Sequence, residues 1–227
     1  MAAGQGIRLR PLTERWAKPV LPIDGRPVIA RLLRDLAGAG CERAWVVTGH
    51  LAEQVEALVG DGRPFGLAVR FVRQPGVLGS ADAVQRALDA GAGVPALVSA
   101  ADTLFGAGDV TRFATAFGRV RAAGAVAVRT EPGLGSGRTA VARDGDRIVR
   151  MRDDDPASVW TPAPLWGLGR AVAERLGLDR PPYELENAYQ AAIDAGETVM
   201  AVEIGKTRDL TDPLDLVEEN FPYLGAT

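Results

Sequence analysis

Residues 2–27 read AAGQGIRLRPLTERWAKPVLPIDGRP and crowd glycines, arginines and a lysine into one short stretch. Gly4 and Gly6 let the backbone approach a ligand closely and take φ angles closed to other residues. Backbone N–H groups in such a turn point at phosphate oxygens. Arg8 adds a fork of donors suited to phosphate, and Lys18 adds a mobile positive charge. Together these groups would hold a polyphosphate. A glycine pair alone is weak evidence, and it also describes a turn with solvated basic residues. A dinucleotide fingerprint is excluded here, because no third glycine stands at the required place and proline follows where a helix should start. A P-loop is excluded within this stretch, because its glycines are not followed by GK[ST].

Other residues could add chemistry downstream. Asp102 follows an apolar run at 95–100, and α/β proteins place ligands at the carboxyl ends of their strands. Its plainer role would be a helix cap or a turn acid. Asp209 lies between the last strand and the last helix, where Asp212 reads as the cap. Gln74 follows a strand, and its amide could pair with a pyrimidine edge or stay solvated in a loop. His50 is the sole histidine, so a His-based triad or a multi-histidine metal site is ruled out. It reads as a polar residue at a strand end. Asp153 to Asp155 reads as a solvated turn rather than a calcium site. The tryptophans read as core or rim, with Trp160 and Trp166 as candidates to border a sugar.

The composition is that of an ordinary globular chain. It has 227 residues, 47% apolar and 24% charged, with a net charge of −3 and one cysteine. One compact domain is the natural reading of that length, so residues 1–227 are taken as a single domain. A mildly acidic, mixed charge argues against a nucleic-acid footprint. A lone Cys41 cannot form an internal disulfide and fits a reducing cytoplasm. No apolar run approaches the ~18 residues that cross a bilayer, and no signal peptide is visible.

The elements that would position these groups alternate. Apolar side chains at Val28, Ile29, Leu32, Leu33 and Leu36 make one helix face over 26–38, with Pro27 in its first turn. A strand is predicted at 44–48, a helix at 51–59 ending at Gly60, and a strand at 67–72. Ser80 is predicted to cap a helix running to about residue 90. A buried strand at 95–100, a helix opening at Asp109 and a strand at 125–129 follow. This order predicts a mostly parallel sheet with helices on both faces. Later, 139–143 and 147–151 flank Asp144-Gly145-Asp146, a hairpin signal. Residues 160–168 could form a strand, although Pro162 and Pro164 argue for an edge or a loop. A helix at 184–195, a strand at 198–204 and a helix at 213–220 close the chain, the last with Asp212 at its cap and Asp215 in its first turn.

The opening stretch resembles the signature of the sugar-1-phosphate nucleotidyltransferases, or NDP-sugar pyrophosphorylases. Their pattern runs roughly AAGxGTRLxPLTxxxPKPLxPIxGKPxI, against AAGQGIRLRPLTERWAKPVLPIDGRPVI here. The resemblance continues through 46–62, 76–88, 96–105, 184–196 and 208–220, in family order. It implies an α/β, Rossmann-like three-layer sandwich with a mostly parallel mixed sheet, of the nucleotide-diphospho-sugar transferase type. Residues at about 130–168 would form a hairpin-containing lobe on the sugar side. The implied reaction is NTP plus sugar-1-phosphate giving NDP-sugar and pyrophosphate, with UTP or dTTP favoured. Alternatives are cytidylyl transfer to a non-sugar phosphate such as phosphocholine, and a non-catalytic regulator that binds a nucleotide-sugar. The resemblance gives catalytic roles to Arg8 and Lys18. It gives nucleotide contacts to Ala3, Gly4, Gly6, Gln74, Gly79 and Ser80, and Mg²⁺ to Asp102 and Asp209. Gly137, Asp153, Glu184 and, more weakly, Arg129 become candidates for sugar contacts. The partners implied are an NTP and a sugar-1-phosphate, with no nucleic acid and no membrane; a homo-oligomer is compatible.

The chain departs from the pattern at four places. Ile7 replaces a threonine near the phosphates. Ala101 replaces the glycine before the metal aspartate. Asp153 and Asp154 stand where many relatives carry Glu-Lys, leaving Arg150 or Arg152 to restore the positive charge. The first, usually central strand of relatives precedes AAG, whereas here Met1 directly precedes Ala2. The natural chain is therefore expected to begin upstream.

Overall fold

A computed structural model of the chain describes residues 1–130, 140–153, 158–177, 181 and 183–221. In chain order the first elements are β1 (Pro22–Ile23), β2 (Arg26–Pro27), α1 (Val28–Gly38), β3 (Arg43–Thr48), α2 (Ala52–Val59) and β4 (Ala68–Arg73). Next come α3 (Ser80–Asp89), β5 (Ala96–Ser99), β6 (Thr103–Leu104), α4 (Asp109–Arg119), β7 (Gly124–Thr130), β8 (Ala140–Asp144) and β9 (Arg147–Asp153). The chain closes with β10 (Trp160–Leu168), α5 (Arg170–Ala173), α6 (Leu185–Asp194), β11 (Val199–Glu203), β12 (Arg208–Asp209) and α7 (Pro213–Asn220). Two compact units result. The first holds the described residues of Met1–Val77, Ala100–Phe105 and Thr207–Thr227, and the second those of Leu78–Ser99 and Gly106–Lys206.

In the first unit, β3 and β4 pair in parallel from Arg43 opposite Ala68 to Thr48 opposite Arg73. Where the family's first strand is expected, Ala2 bridges Thr48 in parallel. The Ala2 N–H donates to the Val47 carbonyl at 2.7 Å, and the Ala101 N–H donates to the Met1 carbonyl at 2.9 Å. Leu9, Leu21, Ile23, Val28, Leu104 and Leu210 form a buried cluster in the same unit. It joins the opening loop, the β1–β2 turn, α1, β6 and the segment after β12 through apolar burial. Helix α7 starts as the sequence predicts. Asp212 accepts from the Leu214 N–H at 2.8 Å, and Asp215 accepts from the Asp212 N–H at 3.0 Å, a reciprocal cap.

The second unit is built on a six-stranded mixed sheet in the order β5-β10-β7-β11-β9-β8. Strands β7 and β11 are parallel, and β10 runs antiparallel to both of its neighbours. Gly167 of β10 faces α4, where an added Cβ would lie 2.7 Å from the Phe117 ring. Gly124 of β7 faces the other way, where a Cβ would meet Tyr189 of α6 at 2.7 Å and Val172 of α5 at 3.1 Å. Helices therefore cover both faces, as the element order predicts.

Three sequence expectations need correction. The six-stranded sheet is mixed rather than mostly parallel: β7 and β11 pair in parallel, while the antiparallel β10 and the β8–β9 hairpin make its other four pairings antiparallel. Strand β10 is neither an edge nor a loop but an interior strand. It tolerates its prolines because pairing with β5 begins only at Leu165, beyond both of them. The ladder with β7 also shifts register between Pro162 and Trp166, where a bulge relieves the missing N–H groups. Ser80 does not cap α3. Gly79 is the N-cap, at φ 102°, and the Ser80 hydroxyl turns elsewhere.

Candidate active site

The opening loop is fixed from within and from helix α2. Gly6 adopts φ 60° and ψ 41°, a left-handed conformation that glycine takes without strain. A Cβ there would stand 2.8 Å from the Thr13 methyl carbon. The Thr13 hydroxyl donates back to the Gly6 carbonyl at 2.8 Å, closing the turn. His50 Nε2 lies 2.6 Å from the Thr13 carbonyl, which can only accept, so Nε2 carries the proton. Gln54 of α2 works at both ends of its amide. Its Oε1 accepts from the Ala17 N–H at 2.8 Å, and its Nε2 donates to the Arg15 carbonyl at 2.7 Å. The strand end beside the loop is equally close. An added Cβ on Gly49 would lie 2.8 Å from the Ala3 carbonyl oxygen. The loop thus leaves Gly4 and Arg8 exposed on a braced backbone.

Lys18 follows the segment held by Gln54. Its Nζ lies 2.6 Å from Asp102 Oδ2, with the two side chains 15% and 29% exposed. Asp102 immediately precedes β6, and Asp209 on β12 pairs opposite Thr103 of β6. The two carboxylates named from the sequence are therefore carried by neighbouring, paired backbone segments. The Thr211 hydroxyl donates to Asp209 Oδ2 at 3.1 Å. Gln74 is buried just beyond β4, and its N–H donates to the Thr48 carbonyl at 2.8 Å.

These groups suit a divalent cation. Magnesium is commonly held by one or two carboxylates, with phosphate oxygens and water completing its shell. Asp102 already has an ammonium as its cationic neighbour, and Asp209 is supported by a hydroxyl donor. No group of three or more Asp, Glu, His or Cys side chains able to hold a metal occurs among the described residues. A cation here would need oxygens from its substrate. Gly205-Lys206-Thr207 does match the last positions of a P-loop. Met200 stands where the first glycine would be, and the segment leads into β12 rather than a helix.

In the second unit, Gly79, Ser80 and Glu184 meet. The Ser80 hydroxyl donates to Glu184 Oε2 at 2.7 Å and accepts from the Leu185 N–H at 2.7 Å, so it supports the start of α6. The Ala81 N–H donates to the Tyr183 carbonyl at 2.6 Å, and the Tyr183 N–H donates to the Leu78 carbonyl at 2.9 Å. Gly79 has a packing reason of its own, since a Cβ would be 2.4 Å from the Tyr183 carbonyl oxygen. Asp153 ends β9, beside Arg152, whose Nε lies 3.3 Å from Glu186 Oε2. Arg129 is on β7, and its carbonyl accepts from the Thr161 hydroxyl at 3.3 Å. Gly137 and Asp154 lie outside the described residues.

Sequence reasoning named Lys18, Asp102 and Asp209 but not what holds them. The braces of the loop, Thr13, His50 and Gln54, carry no such signal, and His50 reads from the sequence only as a polar residue at a strand end. Thr13 acts within the opening stretch, on a carbonyl 7 residues away, whereas His50 and Gln54 act on backbone groups 37 or 39 residues away, which no local spacing marks.

The Nucleotidyl transferase family pattern matches residues 1–137. The chain is 28% identical over 235 residues to a glucose-1-phosphate thymidylyltransferase of Streptomyces griseus, covering 100% of this chain and 66% of that protein. It is 27% identical over 234 residues to a mannose-1-phosphate guanylyltransferase of Mycobacterium tuberculosis, covering 96% of this chain and 61% of that protein. The chain thus spans less than two thirds of the length of either relative. The fold is similar to that of a UTP-bound UGPase from Acinetobacter baumannii, with a TM-score of 0.77, 22% identity, and 98% and 90% of the two chains covered. With the family pattern matching more than half of its length, the opening loop included, the chain belongs to the nucleotidyl transferase family.

Proposed function

We propose that the chain transfers a nucleotidyl group from an NTP to a sugar-1-phosphate, giving NDP-sugar and pyrophosphate, with UTP or dTTP as donor. The observation that carries this reading is the Lys18–Asp102 pair at the end of the braced glycine loop, with Asp209 on the adjoining strand. The Streptomyces griseus and Mycobacterium tuberculosis relatives support the acceptor class, since each is named for a hexose 1-phosphate. Among the described residues no helix is long and apolar enough to cross a membrane.

In this reading a phosphate oxygen of the sugar-1-phosphate attacks the α-phosphorus in line. The bond from that phosphorus to the bridging oxygen breaks, and pyrophosphate leaves with the electron pair. No covalent intermediate with the protein is needed. The N–H groups around Gly4 and Gly6 and the Arg8 guanidinium bind the triphosphate. Lys18 moves its ammonium from Asp102 to the reacting phosphate, where negative charge builds up. Positioning and charge stabilisation of this kind account for most of the acceleration in phosphoryl-type transfers. Mg²⁺, when bound by Asp102 and Asp209, would neutralise phosphate oxygens. Gln74 is the candidate contact to the base, and Glu184 and Asp153 are the second unit's candidates for the sugar.

The test is pyrophosphate release from the protein with Mg²⁺, each NTP in turn, and a panel of hexose 1-phosphates with choline phosphate alongside. Release with a pyrimidine NTP and a hexose 1-phosphate is expected. Release only with CTP and choline phosphate, or no release with any pair, would overturn the reading; activity surviving Asp102→Ala with Asp209→Ala would overturn the metal assignment.

A further inference from the structure

Arg208 immediately precedes Asp209, and together they make up all of β12. The ladder with β6 has only the pairs Arg208–Leu104 and Asp209–Thr103. A two-stranded ribbon this short is marginal without other support, so the direction of Asp209 needs a second anchor. Arg208 provides one. Its Nη1 and Nη2 donate to Asp24 Oδ2 and Oδ1, each at 2.8 Å. Its Nε donates to Glu219 Oε2 at 2.5 Å, and Nη2 also donates to the Glu219 carbonyl at 3.3 Å.

Both anchor points are themselves fixed. Asp24 sits at φ 51° in the β1–β2 turn and accepts from Arg31 Nη1 at 2.7 Å. Asn220 joins that turn to α7, donating to the Pro22 carbonyl at 2.8 Å and accepting from the Gly25 N–H at 2.9 Å. One guanidinium is therefore fastened to a turn 184 residues away and to a helix 11 residues away.

Consecutive side chains of a strand point to opposite faces. Holding Arg208 toward Asp24 and Glu219 turns Asp209 the other way. The planar fork fixes rotation about the strand axis in a manner a lysine cannot reproduce.

We propose that Arg208, held by Asp24, is a positioning residue that aims the Asp209 carboxylate at the metal site. This rests on the reading of Asp209 as a metal ligand. A plain structural tie would predict something else. Arg208 and Asp24 are 36% and 47% exposed, and pairs this wet contribute little to stability. Their loss should be felt in metal binding far more than in unfolding.

The experiment uses the full chain with Mn²⁺ as probe. Free Mn²⁺ is counted by electron paramagnetic resonance with and without UTP, and thermal unfolding is followed in parallel. Asp209→Asn is the reference and should lose most Mn²⁺ binding. Arg208→Gln and Asp24→Asn are each expected to weaken it roughly tenfold, the scale of lost outer-shell support, with little change in unfolding temperature. Arg208→Lys should recover only part. Unchanged Mn²⁺ affinity in Asp24→Asn and Arg208→Gln, alongside a loss in Asp209→Asn, overturns the positioning role alone. Unchanged affinity in Asp209→Asn overturns the metal assignment beneath it. Should Arg208→Gln fail to fold, Asp24→Asn, which leaves Glu219 in place, decides the matter.

Discussion

Lys18→Met should separate the two uses of one ammonium. In the free protein Lys18 Nζ lies 2.6 Å from Asp102 Oδ2, and both side chains are less than a third exposed. A hydrogen bond between charged groups contributes about 1.5–3 kcal/mol net. Asp102 regains water when the ammonium leaves, so a loss of about 1–2 kcal/mol is expected, or roughly 2–8 °C in a chain of this size. Mn²⁺ should restore most of that loss, because it takes over as counter-charge. It also no longer has to displace an ammonium. Nucleotide-free Mn²⁺ affinity should therefore rise up to about tenfold, equivalent to about 1.4 kcal/mol. Nucleotidyl transfer should move the opposite way, falling about 100-fold or more as the transition state loses a cation. Thermal unfolding with and without Mn²⁺, paramagnetic counting of Mn²⁺, and pyrophosphate release measure the three effects. A variant that binds Mn²⁺ more weakly in the absence of nucleotide would refute the argument, for then Lys18 would support the metal rather than compete with it.

Gly79→Ala combines a forbidden φ with backbone atoms of Tyr183 at 2.4 and 2.6 Å from the new Cβ. A loss above about 3 kcal/mol is expected in urea unfolding, and one below about 1 kcal/mol would contradict the packing described. Gln54→Ala removes both bonds to the loop ahead of Lys18. It should raise the KM for the NTP several-fold, with Gln54→Glu intermediate because it keeps only the acceptor; equal KM values in all three proteins would count against the bracing role. Hydrogen bonds from Arg208 and Arg31 hold the Asp24 carboxyl at about 2, below its ordinary 3.8. A depressed carboxylate stabilises above its unfolded value and loses that contribution as pH falls toward the folded one. Because Asp24 is half exposed, the contribution should be under about 1 kcal/mol. The stability gap between the parent and Asp24→Asn should therefore be constant above pH 5 and close between about pH 4 and 2, as urea titrations at each pH would show.

Much of this architecture is legible where a rule is local. The apolar spacing of α1, the Gly60 stop of α2 and the Asp212–Asp215 cap of α7 are all written within a few neighbouring residues. The glycine loop and the two metal-candidate aspartates are visible as types in a family order. Their arrangement is not. Nothing near Lys18 indicates that its partner is Asp102, and Ser80 looks like a cap because its true partner, Glu184, is 104 residues away. Strands β6 and β12 are too short to carry any periodicity. Strand β10 reads as an edge or a loop because prolines disfavour interior strands, whereas pairing with β5 starts beyond both prolines. Tertiary context decides each of these cases, through contacts that a window along the chain cannot contain.

The prolines of β10 also matter before the chain is folded. Trp160–Leu168 contains two tryptophans, two leucines and no charge, the composition of a segment that stacks on copies of itself. Such stacking needs an unbroken row of backbone donors. Pro162 and Pro164 interrupt that row at alternate residues, while the native sheet bypasses the gap with its register shift. The same two residues that make the strand hard to recognise therefore act as gatekeepers against self-association, and replacing them would put the newly made chain at risk of aggregation.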